Sequence, residues 1–175
     1  MVSAPSTLPA GEARPASRLD RGLLAAVRIG LGFLWLGGAA WKTPPQFGGL
    51  HDWTTFAVTY PVFGPWSWLV EHLVLPNFLI FAWGVLLLEA SLGGFLLVGL
   101  GTRFWAVAGI AQTLAITLSA LRAPNEWPWS YFLMVMAHFA VFATAAGRYC
   151  GVDGVLRPAW QQSPSRWARM MLRAS

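Results

Sequence analysis

Charge is scarce in this 175-residue chain. Only 11% of its residues are Asp, Glu, Lys or Arg, against roughly 25% in an average soluble domain. Acidic residues number seven, lysine appears once (Lys42) and histidine three times (His51, His72 and His138). The single cysteine, Cys150, excludes an intrachain disulfide and any paired-thiol metal or redox motif. No Walker, GxGxxG, HExxH or GxSxG pattern is present. Metal and flavin motifs are therefore not expected.

What is abundant is apolar. Hydrophobic residues make up 56% of the chain, with 11 Trp, and the mean hydropathy is +0.53. The formal net charge is nevertheless +5. A nucleic-acid binder needs far more cations on one face, and a disordered chain far less apolar content. An integral membrane protein with a basic side accounts for both numbers. The length suits one domain.

Four stretches approach the roughly 20 apolar residues that a bilayer span requires. They run about Gly22–Trp41, Phe78–Leu100, Phe104–Leu121 and Trp129–Ala146. None alternates like a strand, so the predicted fold is all-α, a four-helix membrane bundle. Residues 1–20, rich in Ala, Pro and Ser, read as a disordered tail. The first span reads as an uncleaved helix rather than a signal peptide, because it is too long for a signal core. Residues 21–158 form the expected membrane domain. Residues 159–175, with Trp167, Met170 and Met171 among Arg166, Arg169 and Arg173, read as a basic amphipathic tail or a frayed one. Ser163 or Ser165 is the expected cap of a helix there.

With the N-terminus inside, nine arginines fall on the inner side, whereas only Lys42 and Arg122 fall outside. The asymmetry predicts both termini in the cytoplasm, in a bacterial or archaeal cytoplasmic membrane. The segment 42–77 between the first two spans carries five prolines and many aromatics. Short interfacial helices are expected near Trp53–Val58 and Trp66–Leu75.

Few polar groups break the apolar spans. Glu89 sits near the middle of the second, where an ionised carboxylate costs several kcal/mol unless paired or protonated. Arg28, one and a half turns into the first span, is its expected partner. Such a pair either fixes helix packing or organises an intramembrane polar site. Gln112 and His138 lie near mid-span in the third and fourth helices. Gln112 suits an interhelical hydrogen bond. His138 suits packing, proton relay or hydrogen bonding to a ligand carbonyl.

The first span and its end contain Arg28, Gly32, Gly38 and Lys42. The second contains Glu89, then a Gly-rich stretch and Gly101-Thr102-Arg103. After the fourth comes Gly147-Arg148-Tyr149-Cys150-Gly151-Val152-Asp153. In this order and placement the residues resemble the DoxX-like membrane proteins. The long aromatic loop is closest to the DoxD type, the small subunit of thiosulfate:quinone oxidoreductase. The resemblance covers roughly residues 21–158 and implies quinone-linked redox chemistry. It marks Arg28, Lys42, Glu89, Arg103 and Asp153 as polar positions to carry over.

The expected function is a membrane subunit of a quinone-linked oxidoreductase, passing electrons from thiosulfate or a related sulfur compound to quinone. Arg28 and Glu89 would be catalytic and, with Gln112 and His138, hold the quinone. Lys42 and Arg122 would attract the anionic substrate. A larger membrane or periplasmic redox subunit is the expected partner. The alternative is a non-catalytic accessory subunit of a larger respiratory or photosynthetic complex.

Overall fold

A computed structural model describes residues 17–175. The tail expected over residues 1–20 lies outside this range as far as residue 16. Residues 18–20 of that expected tail instead form the first turn of a helix. Eight α-helices occur among the described residues, with no strand: α1 (Arg18–Ala40), α2 (Gly48–Thr59), α3 (Gly64–Leu69), α4 (Phe78–Val98), α5 (Thr102–Ala120), α6 (Pro128–Thr144), α7 (Val152–Gln162) and α8 (Arg166–Ala174). Helix α3 runs on into a π-helical turn, Val70–Val74.

The helix ends follow local chemistry. The Ser17 hydroxyl accepts from the Asp20 amide, and the Asp20 carboxylate accepts from the Ser17 amide. This reciprocal cap satisfies two otherwise orphaned donors and starts α1 ahead of the expected Gly22. Pro128 opens α6, where its fixed φ and missing N–H cost nothing. Gly99 ends α4 with φ +72°, a left-handed conformation that glycine adopts without Cβ strain. Ser165 caps α8 by accepting from the Ala168 amide at 3.0 Å.

Helix α1 packs along α4 and α5 along α6, while α1–α6 and α4–α5 contacts close the bundle. The α1–α4 crossing is close because small residues face each other. A Cβ on Gly93 would stand 2.5 Å from Leu36 Cγ and 3.0 Å from the Gly32 carbonyl oxygen. Glycine there lets backbones approach and adds dispersion contacts. The core joins Leu31, Trp35, Leu92, Leu96, Ala106 and Val141. Helices α2 and α3 lie against α5 and cover the end of the bundle where α1 finishes. They occupy both places where loop helices were predicted.

The outside of the bundle is apolar: Phe33, Leu34, Ile80, Leu87, Phe132 and Leu133 are all exposed. Helices α1 and α4 are long and apolar enough to cross a membrane; α6 is apolar but 17 residues long. The position expected as a boundary, 158/159, lies inside α7, which runs on to Gln162; after a short break at residues 163–165 the chain continues as α8. The C-terminal segment is not frayed: α8 packs on α7 and α5.

Candidate functional site

Helix α4 carries Glu89 into the interior, where it is 1% exposed. The cation that meets it is Lys42, just past the end of α1. Lys42 Nζ lies 2.5 Å from Glu89 Oε2 and donates to the Gly38 carbonyl at 2.5 Å. From α5, Gln112 Nε2 donates to Glu89 Oε1 at 3.2 Å. Both carboxylate oxygens thus have a donor, which offsets the desolvation of the charge. A Cβ on Gly38 would sit 3.4 Å from Glu89 Oε2, in ordinary contact with it.

The predicted Arg28–Glu89 pair is therefore replaced by Lys42–Glu89. Arg28 is fully buried elsewhere. Its Nη1 donates to the Leu96 carbonyl and, at 2.7 Å, to that of Leu97; its Nη2 donates to Cys150 at 3.1 Å. These are two of the last carbonyls of α4 and one from the turn that leads into α7. A guanidinium satisfies such orphan acceptors and complements the negative helix end. The reason for the change of partner is register. Lys42 follows Arg28 by fourteen residues, about 21 Å along a helix, and α4 runs antiparallel to α1. Glu89 comes level with Gly38, and Arg28 with the α4 terminus.

Asp153 joins the Arg28 end. It is fully buried and caps α5 from a distance. Its Oδ1 accepts from the Gly101 amide at 2.7 Å, and its Oδ2 from the Thr102 amide at 3.0 Å and hydroxyl at 2.6 Å. A carboxylate at a helix N-terminus is favoured by both the free amides and the dipole. Gly147 is needed beside it, because a Cβ there would collide with the Thr102 hydroxyl and Asp153. Arg103 stays at the surface, donating to the Phe142 carbonyl at 3.2 Å.

His138 is buried but separate from the Glu89 cluster. Its Nε2 accepts from Trp35 Nε1 at 2.9 Å, and its Nδ1 faces the Met134 carbonyl at 2.7 Å. Accepting from the indole requires a bare Nε2, so the ring is neutral with its proton on Nδ1. Arg122 is exposed and donates to the Pro61 carbonyl at 2.8 Å.

A cavity of 320 Å³ opens beside Glu89. Lys42 and Gln112 form its polar wall. Trp41, Trp53, Trp66, Val70, Phe81 and Ile116 supply much of the rest, with Thr54 and Ser119 as minor polar groups. Helices α2 and α3 roof it, and Trp66 Nε1 holds Ser119 Oγ at 3.0 Å. Neither His138, Arg28 nor Arg122 lines it. Of these wall residues, Lys42 and Gln112 stand out in the sequence as polar positions; for the apolar wall the Trp-dense loop is the only signal.

The family model of DoxD, the small subunit of thiosulfate:quinone oxidoreductase, matches residues 56–174. The chain belongs to the DoxD family. It is a membrane protein of that family, and membership implies a larger partner subunit. No curated protein and no solved structure matches the chain. The polar positions that the resemblance marks fall into two groups in the fold. Lys42 and Glu89 stand at the cavity, whereas Arg28 and Asp153 fasten the opposite end.

Proposed function

We propose that this DoxD chain crosses the bilayer four times with both termini in the cytoplasm. We further propose that it takes a quinone head group into the 320 Å³ cavity. One observation carries the reading: a cation and an amide stand at the wall of an otherwise apolar cavity, both held by a buried carboxylate behind them. Ligand pockets have this composition, a largely hydrophobic lining with a few placed polar groups, and run from about 300 Å³ upward. An ammonium has three donors, and Lys42 spends two on Gly38 and Glu89. The third, together with the second N–H of Gln112, is available to a quinone carbonyl.

The roles divide accordingly. Lys42 and Gln112 orient the head group by donating to it. Glu89 holds Lys42 in place, and is the carboxylate one bond behind the ligand. The aromatic roof excludes water. The quinone supplies two-electron, two-proton redox chemistry when bound. Electrons come from thiosulfate or a related sulfur anion through the partner subunit, with exposed Arg122 drawing anions to that side. Arg28 and His138 position helices rather than touch the ligand.

The test is thiosulfate-dependent quinone reduction by the assembled complex. Gln112→Leu and Lys42→Gln each remove a charged or polar donor worth about 1–3 kcal/mol, so quinone KM rises roughly tenfold or turnover falls by as much. Both variants within twofold of wild type, in a complex that still assembles, would leave the chain an accessory subunit without a quinone site.

A further inference from the structure

A second hollow lies at the other end of α1 from the Lys42 cavity. It measures 380 Å³ and is lined by Arg18, Arg21, Arg148, Tyr149 and Cys150. Three guanidinium groups therefore face one small space. Among the described residues none of the three forms an ion pair. Asp20, the nearest acidic neighbour in sequence, is engaged in the Ser17 cap. Arg148 gives one Nη to the Ser175 carbonyl at 3.0 Å. Its Nε is buried with no partner among the described residues. Burial, and then the like charges of Arg157 and Arg103, hold the Arg148 guanidinium below its ordinary pKa. Three arginines thus line one hollow, and the acidic charge near Arg148 is the buried Asp153, already engaged by the start of α5; this is the electrostatic condition for an anion.

Phosphate fits the donors best. Guanidinium forks bind phosphate oxygens bidentately, with geometry that a lone ammonium lacks. The setting is also that of a membrane surface. Leu19 and Leu23 are exposed on the first turns of α1. Helix α8, whose end Arg148 holds, has three distinct sides. Ala168 and Leu172 turn toward the protein, Trp167 and Met170 are exposed, and Arg166, Arg169 and Arg173 form a basic strip. We propose that the hollow of Arg18, Arg21 and Arg148 is a binding site for a phosphate group, carried by an anionic lipid headgroup or by a free phosphate anion. This reading does not depend on the quinone site.

The test titrates the purified full chain in detergent and follows its thermal unfolding. The probes are phosphatidylglycerol, phosphatidylcholine and inorganic phosphate. Phosphatidylglycerol stabilises the wild type with a saturable midpoint, and Arg18→Gln/Arg21→Gln moves that midpoint up roughly tenfold or more. Arg148→Lys, which keeps the charge and removes the fork, shifts it less. Arg166→Gln/Arg169→Gln, which removes equal charge outside the hollow, leaves it within twofold. Displacement of the lipid by millimolar inorganic phosphate identifies the free anion as ligand. Retention of the lipid under those conditions identifies the headgroup. Equal loss in both double variants, or equal stabilisation by phosphatidylcholine, would overturn the site.

Discussion

Glu89 shows what a buried charge demands of its neighbours. Lys42 and Gln112 occupy both of its oxygens, so removing one partner leaves a desolvated charge. Lys42→Met should destabilise the chain by about 3–5 kcal/mol, whereas Lys42→Met/Glu89→Gln should recover much of that loss. A double-mutant cycle on unfolding in detergent reads the coupling; additive effects would mean that the pair contributes nothing. Asp153 makes a parallel case. Its loss strands two amides and a hydroxyl at the start of α5, and Asp153→Ala should cost roughly 3 kcal/mol. The same unfolding assay checks it, with Asp153→Asn expected to fall between. Depth along a span was enough to single out Glu89 and Gln112 from sequence. It was not enough to pair them. A helical side chain leans back over the preceding turn, so Lys42, placed outside by its position in the chain, brings its ammonium to the level of Gly38. The expected Arg28–Glu89 pairing fails for a different reason: the partners of Arg28 are backbone carbonyls, which no residue type announces.

At the scale of elements, apolar runs located the four long helices to within a few residues, and the aromatic, proline-rich loop located α2 and α3. The cap at Ser17 and the continuity of α7 across residue 158 were missed. The first depends on reciprocal bonding between Ser17 and Asp20. The second shows that Pro158 is accommodated within α7, where sequence alone suggests a break. The α1–α4 crossing depends on Gly32 and Gly93 facing each other. Gly93→Leu should force the helices apart at a cost of about 1–3 kcal/mol, whereas Gly94→Leu, with open space around it, should be nearly neutral. Comparing the two variants' unfolding midpoints decides the point, since equal losses would indicate a general glycine effect rather than a close contact.

For the whole molecule, orientation and ligand are the open propositions. The native thiol makes orientation easy to measure, because Cys150 is the only cysteine and is exposed. A membrane-impermeant maleimide should label it in inside-out vesicles and fail to do so in right-side-out ones; the opposite pattern would invert the topology. Family membership and the apolar exterior place the chain in a membrane, and the cavity gives that chain somewhere to hold a ligand. The most direct test of the account is photo-crosslinking of an azido-quinone to the native complex, followed by mapping of the labelled peptide. Label on the α2–α3 roof or on α5 around Gln112, lost in Gln112→Leu, is the predicted result. Label confined to the partner subunit, or to parts of this chain remote from the cavity, would contradict it.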